Sequence, residues 1–212
     1  AKLCYSPANI GDLLNKVESS EQNTFLEKIA SMGHHSVFEH LSLTFGIEGV
    51  SRALTHQLVR HRIASYSQKS QRYVAHKQGF DYITPPSVAA NSEAASEYVK
   101  IMDEIAAAYD KLAELGIPAE DARYVLPNAC ETKIIVTMNA RELIHFFKVR
   151  CCNRAQWEIR DMATLMFKKA LPVAPSIFAT AGPACVHGAC SEGKMTCGKA
   201  KEVRQEFKEL IL

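Results

Sequence analysis

The stretch RHRIASYSQKSQRY, residues 60–73, places three basic side chains directly before a run of hydroxyl and amide groups. The residues that lead into it, from Val50 onward, carry apolar side chains three and four positions apart, which predicts one buried face of a helix ending at Arg60. Gln57 and His61 fall on that face. Each therefore needs a buried hydrogen-bond partner, because a buried polar group without one costs about 1–3 kcal/mol.

The basic segment has two interpretations. Arg60, His61 and Arg62 in the last turn of a helix would suit the negative end of its macrodipole, and need no other role. Alternatively the segment binds an anion, because guanidinium groups match phosphate oxygens two at a time. The density of further donors favours the second interpretation; they are Ser65, Ser67, Gln68, Ser70 and Arg72.

Composition indicates an ordinary globular protein. The chain has 212 residues, of which 47% are hydrophobic and 23% charged, so it can build a full core. A net charge of +2 argues against a broad nucleic-acid-binding surface. No apolar run approaches the roughly 20 residues that span a bilayer, and no signal peptide pattern is present. With an odd number of cysteines, seven, we expect a cytoplasmic protein with reduced thiols.

Periodicity and capping residues predict a series of helices and two strands. Gly46 and Gly49 are expected at the turn between the first strand and the helix that follows it, and Ser19 or Ser20 as a helix N-cap. The segment from Tyr73 to Tyr82 is expected to return as an extended chain. The predicted strands are Leu41–Ile47 and Thr132–Met138; the predicted helices are two within 10–33 and then Asn91 or Ser92 to Leu115, Ala119–Leu126, Asn139–Arg150 and Ala155–Leu171, with a short charged helix over Lys199–Leu212.

The helix predicted after Asn139 has two different sides. At 100° per residue, Leu143, Phe146 and Phe147 share one side. Arg150 falls in the same arc, so its guanidinium needs an acidic or polar partner, because burying an unpaired charge is prohibitive. An internal carboxylate and a ligand both remain open as that partner.

Two groups of histidines and cysteines raise the question of a metal. His34, His35 and His40 lack the helical spacing of zinc ligands, and we predict no metal there. The C-terminal tail offers four further candidates, in a spacing that matches no standard zinc finger, which favours free thiols in an unstructured or subunit-covering tail over a metal site. These candidates are Cys185, His187, Cys190 and Cys197.

The basic segment also resembles a known signature. Arg-His-Arg followed after seven residues by Ser70 is similar to the motif of the flavin-dependent thymidylate synthases, which make dTMP from dUMP without a cysteine nucleophile. Three more blocks resemble that family in its order and approximate spacing, and together the four cover most of residues 1–171. These blocks are His34–His40, Ala122–Pro127 and Asn139–Glu158.

The resemblance implies a fold and an assembly. It implies an α+β fold with a mostly antiparallel sheet flanked by long helices, in a single domain whose sites lie at the subunit interfaces of a homotetramer. Residues 1–181 would form this domain and residues 182–212 the cysteine-containing tail. It also implies FAD as cofactor, 5,10-methylenetetrahydrofolate as carbon donor and NADPH as reductant, with no nucleic-acid or membrane partner.

The resemblance further assigns residues to the two ligands. Arg150 would be catalytic, favouring the ionised or polarised form of the pyrimidine ring, whereas Ser70 would be a loop donor, because the motif supplies no base to activate it. The residues assigned to FAD are Ser36, Glu39, Arg60, His61, Arg62, Gln68, Asn139, Arg141 and His145. The residues assigned to dUMP are Gln57, Arg60, Gln68, Lys69, Ser70, Gln71, Arg72, Arg123 and Arg150.

The sequence departs from the family's pattern at two places. Arg154 stands where family members often have histidine, and Gln68-Lys69 replaces an acidic–apolar pair found in some of them.

Two other functions were weighed against this family. A cysteine-dependent thymidylate synthase is disfavoured because its Pro-Cys-His segment is missing around Cys185. An RNA-binding module that stacks bases on Tyr66 and Tyr73 would leave the basic residues of 139–150 without a role.

Overall fold

A computed structural model of the chain describes residues 1–18, 21–73 and 79–211. The strands are β1 (Ser42–Ser51), β2 (Ala64–Gln68) and β3 (Glu131–Asn139). The helices are α1 (Ile10–Glu18), α2 (Asn23–Ser31), α3 (Arg52–Leu58), α4 (Pro86–Ala89), α5 (Ser92–Glu114), α6 (Ala119–Ala122), α7 (Ala140–Arg150), α8 (Trp157–Ala170), α9 (Pro175–Phe178), α10 (Ala184–His187) and α11 (Ala200–Ile211), with 3₁₀ helices at Lys2–Tyr5, His35–His40, Arg123–Val125 and Gly193–Met195. Within these residues, no helix has the length and apolar composition that crossing a bilayer requires.

The three strands form an antiparallel sheet with β3 in the centre, in the order β1-β3-β2. Thr44 lies opposite Thr137, with their hydroxyl oxygens 2.8 Å apart. Four residues later in β1, Glu48 lies 3.0 Å from Lys133, which precedes Thr137 by four residues. As the residue number rises along β1, the number of the facing residue in β3 falls, so the two strands run antiparallel. The predicted α+β class is confirmed.

The chain contains two compact units, and the second, Thr44–Thr137, holds most of the sheet and the long helix α5. The Asn91 side chain caps α5 by accepting a hydrogen bond from the Ala94 amide, as the sequence predicted. Met102 and Tyr109 on α5 are 5% and 2% exposed and so form its inner side. The Tyr98 hydroxyl donates to the Ile83 carbonyl 2.9 Å away, fixing the chain that enters the helix.

The first unit comprises Ala1–Leu43 and Met138–Leu212. Its core is a cluster of phenylalanines supplied by α7, α8, α9 and α11. The Phe147 ring lies 5.5 Å from Phe167 and 6.1 Å from Phe178, in edge-to-face geometry, and Phe167 lies 5.2 Å from Phe207. Such pairs add about 0.5–1.5 kcal/mol beyond the burial of their area.

The predicted boundary between the first strand and its helix is wrong. β1 continues through Gly46 and Gly49 to Ser51, so these glycines lie inside the strand and not at a turn. Pairing with β3 explains the extension, since the Gly49 amide donates to the Glu131 carboxylate 2.9 Å away. The helix after it, α3, begins at Arg52 and ends two residues before the predicted end.

The C-terminal segment is folded, so the unstructured alternative is wrong for the residues described there. α11 buries Val203 and Phe207, which stand four residues apart on one helical face. The Arg204 side chain donates to the Cys185 and Gly188 carbonyls at 2.6 Å and 3.0 Å. The proposed N-cap at Ser19 or Ser20 and residues 74–78 of the expected extended segment lie outside the described residues.

Candidate functional site

The basic segment leaves α3 through a tight turn. The Tyr66 hydroxyl lies 2.9 Å from the Leu58 carbonyl oxygen and 2.7 Å from that of His61, so its proton holds the turn against β2. His61 is buried, as predicted, whereas Arg60 and Arg62 are exposed. Among the residues that the structure describes, no carboxylate pairs with either arginine. Two accessible guanidinium groups therefore lie within the few residues that follow α3.

Gln68 faces the protein interior. Its amide nitrogen donates to the hydroxyl oxygens of Thr55 and Thr132, at 3.1 Å and 3.3 Å. Both threonines are 2% exposed, so the Gln68 amide joins β2 to α3 and to β3 inside the unit. Lys69 follows at the end of the strand, where its amide donates to the Lys133 carbonyl.

Three of the residues predicted to bind nucleotide lie together around Glu120. The Arg72 guanidinium contacts the Glu120 carboxylate at 2.7 Å and 2.9 Å, and Arg123 donates to the Glu120 backbone carbonyl at 3.1 Å. The Ser70 hydroxyl accepts a hydrogen bond from the Arg72 amide, which shapes the turn that presents Arg72. The structure thus brings together Ser70, Arg72 and Arg123 from distant parts of the sequence.

Arg52 belongs to the same surroundings, although the sequence did not indicate it. Its guanidinium donates to the Lys69 carbonyl at 3.4 Å. Burial lowers the pKa of Arg52, the nearby Cys130 thiol opposes that shift, and the positive charge of Arg123 adds to it. Gln71 reaches the same place, since its amide lies 3.5 Å from the Cys130 sulfur. Like charges held this close favour an anion between them.

Cys130 itself does not supply a nucleophile here. Its side chain is fully buried, and burial raises the pKa of the thiol. The thiolate, which is the reactive form, is therefore disfavoured at neutral pH. We define Arg52, Lys69, Arg72 and Arg123 as the cationic cluster of this unit; the Glu120 carboxylate pairs with Arg72.

The other unit contains a second group of predicted site residues. The 3₁₀ helix His35–His40 packs against α7, and Glu39 forms an ion pair with Arg141. The Asn139 side chain caps α7 by accepting a hydrogen bond from the Glu142 amide at 2.9 Å. Ser36, Arg141 and His145 are all exposed. Ser36 and Glu39 therefore lie on the 3₁₀ helix and Arg141 and His145 on α7, whereas Asn139 ends β3 and caps α7.

Arg150 is the last residue of α7. Leu143, Phe146 and Phe147 are 0% exposed, so the predicted apolar side of the helix is confirmed. Arg150 is half-buried on that side, and burial lowers the pKa of its guanidinium.

An α+β fold with two exposed arginines, a cationic cluster and a half-buried guanidinium is typical of proteins that bind phosphorylated ligands. Comparison with known proteins makes this specific. Residues 1–176 match the family described as thymidylate synthase complementing protein. The chain therefore belongs to the flavin-dependent thymidylate synthase family and is an enzyme, which confirms the resemblance found in the sequence.

Several curated relatives carry the name flavin-dependent thymidylate synthase. The Geobacter sulfurreducens protein is 58% identical over 213 residues, covering 100% of this chain and 92% of the relative. The Clostridium tetani protein is 50% identical over 98% of this chain and 89% of its own length. For the Pyrococcus furiosus protein the identity is 42%, over 92% of this chain and 84% of the relative.

Proposed function

We propose that this enzyme converts dUMP to dTMP, with FAD as cofactor, 5,10-methylenetetrahydrofolate as carbon donor and NADPH as reductant of the flavin. The observation that carries the proposal is the cationic cluster, in which Arg72 and Arg123 both contact Glu120. A nucleoside monophosphate carries a compact dianion, and arginines bind such a group through paired hydrogen bonds. Family membership supports the nucleotide as that anion.

The residues present fit a flavin dinucleotide. Arg60 and Arg62 are exposed, with no carboxylate partner within the described ranges, so both can bind the pyrophosphate. The dinucleotide-binding G-x-G-x-x-G motif is absent from the sequence, so binding would rest on these side chains and on Asn139, Arg141 and His145. When bound, the flavin supplies hydride chemistry that no amino-acid side chain can supply.

The cationic cluster would hold the nucleotide phosphate. Arg72 and Arg123 already contact one acidic residue, and the phosphate would take the place of the Glu120 carboxylate. The nucleotide would also be contacted by Lys69, Gln71 and Gln57. Ser70 would act as a hydrogen-bonding residue of the loop, consistent with the turn that its hydroxyl forms with Arg72.

Arg150 would act on the pyrimidine ring. Attack by the ring on a one-carbon unit requires negative charge to develop on the ring, and a fixed guanidinium stabilises that charge as it forms. Half-burial strengthens the effect, because electrostatic interactions are less screened away from water. The proposal needs Arg150 to reach the nucleotide that Arg72 and Arg123 bind, in a homotetramer whose chains share their sites.

We assign residues 1–181 to the synthase domain, residues 182–212 to a C-terminal segment, and the enzyme to the cytoplasm. The family match, which ends at residue 176, supports the first boundary.

The proposal is tested on the purified full-length chain. We expect the protein to carry the visible absorption of a flavin and to oxidise its reduced cofactor when both dUMP and methylenetetrahydrofolate are added, with dTMP as product. Omitting dUMP is the control. A colourless protein that instead binds RNA with steep salt dependence would contradict the proposal and favour the nucleic-acid alternative.

A further inference from the structure

Four cysteines line one small cavity in the first unit. We define them as the four-cysteine cluster: Cys152, Cys185, Cys190 and Cys197. The cavity has a volume of about 10 Å³, close to the space of one water molecule or one ion. The sequence suggested three of these residues with His187, but the His187 ring is exposed and lies near the Ala181 carbonyl. Folding supplies Cys152, just after α7, as the fourth thiol instead.

The connection from α10 to α11 depends on two of these thiols. In the segment 188–199 every residue is exposed except Cys190 and Cys197. Its only regular structure is the 3₁₀ helix Gly193–Met195. Ordering a residue costs about 1–2 kcal/mol of backbone entropy, and this segment has no inward-facing apolar side chain larger than a thiol to offset it. Apart from the hydrogen bond that Arg204 donates to the Gly188 carbonyl, the two cysteines are the side chains of this segment that are placed to hold it.

The surroundings of the cluster can offset the negative charge of bound thiolates. Two guanidinium groups stand beside the cluster. Arg204 donates to the Cys185 carbonyl, and Arg154 lines the cavity without a carboxylate partner in the described part of the chain.

We propose that Cys152, Cys185, Cys190 and Cys197 bind one zinc ion as four thiolates. A zinc ion closed by four cysteines is a structural site, with sulfur atoms about 2.3 Å from the metal in tetrahedral geometry. Binding releases the four thiol protons. The resulting centre carries a net charge of two minus, which Arg154 and Arg204 offset. The ion joins the end of α7 to the connection between α10 and α11, and takes no part in flavin chemistry.

The thiols must reorient to bind the ion. Among the described residues, no three histidine, cysteine or acidic side chains are already converged as metal ligands. Rotation of a cysteine about χ1 from one staggered position to another moves its sulfur by about 3 Å. Because the four residues line one cavity, rotations of this size are the rearrangement that the proposal requires.

The wild-type chain provides the first test, so no variant has to fold. The full-length protein is purified under reducing conditions, its zinc content is measured by plasma mass spectrometry, and Co²⁺ is then exchanged for the zinc. We expect one zinc per chain and a strong thiolate-to-cobalt charge-transfer absorption. A chelator should expose the four thiols to iodoacetamide and accelerate trypsin cleavage after Lys194, which lies in the segment 188–199.

Variants then locate the site. Cys190→Ser and Cys197→Ser should each lose the zinc, whereas Cys4→Ser, an exposed thiol outside the cluster, should retain it. The proposal is overturned if the reduced wild-type chain takes up neither zinc nor cobalt, if any two of the four cysteines form a disulfide, or if iron and sulfide are found in place of zinc. Equal zinc loss in Cys4→Ser would overturn it as well.

Discussion

At the scale of single residues, Gln68 has a structural partner on either side. Its amide is the donor shared by two buried threonine hydroxyls, Thr55 and Thr132. We predict that Gln68→Ala lowers the free energy of unfolding by about 1–2 kcal/mol, because it leaves these groups without that donor.

Urea unfolding without ligands measures this loss. Gln71→Ala is the matched control, since that amide only approaches a weak thiol acceptor at 3.5 Å and should change the stability little. If the two variants unfold at the same urea concentration, Gln68 does not have the role described.

Arg150 is the residue on which the chemistry depends. We predict that Arg150→Ala lowers the rate of dTMP formation by at least about 100-fold, the usual cost of removing one preorganised donor at a developing charge. The bound flavin should remain. Lys148→Ala is the control, because Lys148 is exposed on the other side of α7. Unchanged turnover in Arg150→Ala refutes the activating role.

The sequence located most of these residues only through the family resemblance. A lone arginine such as Arg123 gives no local indication of a binding role, because solvated charged side chains are common at the ends of helices. Arg52 was missed for a physical reason. Gly46 and Gly49 favoured a turn, whereas pairing with β3 extends β1 to Ser51 and so starts α3 at Arg52.

At the scale of elements, Asn139, the residue before α7, has two proposed roles. Asn139 caps the helix and is also assigned to the flavin. We predict that Asn139→Ala lowers stability by about 1 kcal/mol and also reduces flavin retention. Asn91→Ala, which removes the cap of α5, should lower stability by a similar amount and leave flavin retention unchanged.

Urea unfolding and the flavin-to-protein absorbance ratio separate the two tasks. Asn139→Asp should restore stability, since aspartate caps helices as well as asparagine does. If it restores flavin retention fully as well, Asn139 acts only as a cap.

The packing of α11 is tested at a glycine. Gly182 has a positive φ of 123°, and a Cβ there would lie 2.9 Å from the Phe207 ring. Gly116 also has a positive φ, 79°, but faces open space. We predict that Gly182→Ala destabilises the protein by about 1–3 kcal/mol more than Gly116→Ala, because overpacking against Phe207 adds to a backbone strain that is itself greater at φ 123° than near the left-handed helical region. Thermal unfolding of both variants gives the difference. Equal losses of stability would show that the Phe207 ring moves aside at little cost.

The element boundaries show where sequence patterns suffice. The long helix α5 was predicted within a residue or two, since Asn91 and Gly116 mark its ends chemically. The C-terminal helices were less predictable. The motif blocks that resemble the family lie within residues 1–171, and the burial of Val203 and Phe207 depends on contacts with distant helices.

At the scale of the whole molecule, the proposed sites combine residues of different chains. We predict that Arg72→Ala and Arg150→Ala, each inactive alone, regain activity when co-expressed. If one site takes these two arginines from different chains, random mixing gives about a quarter of the sites both native residues. Activity assays on the co-purified hybrid, beside each variant co-expressed with itself, measure the recovery. No recovery means that one chain supplies both residues.

The contact between Arg72 and Glu120 has a consequence for how a nucleotide would enter. Without a nucleotide, the Glu120 carboxylate pairs with Arg72, the cation that the incoming phosphate needs, and so competes with the phosphate. Entry is then an exchange of counter-ions, and the affinity gained is only the difference between two ion pairs. Such an arrangement disfavours the binding of weakly bound anions, such as chloride, and allows the binding of anions with enough charge to displace a carboxylate.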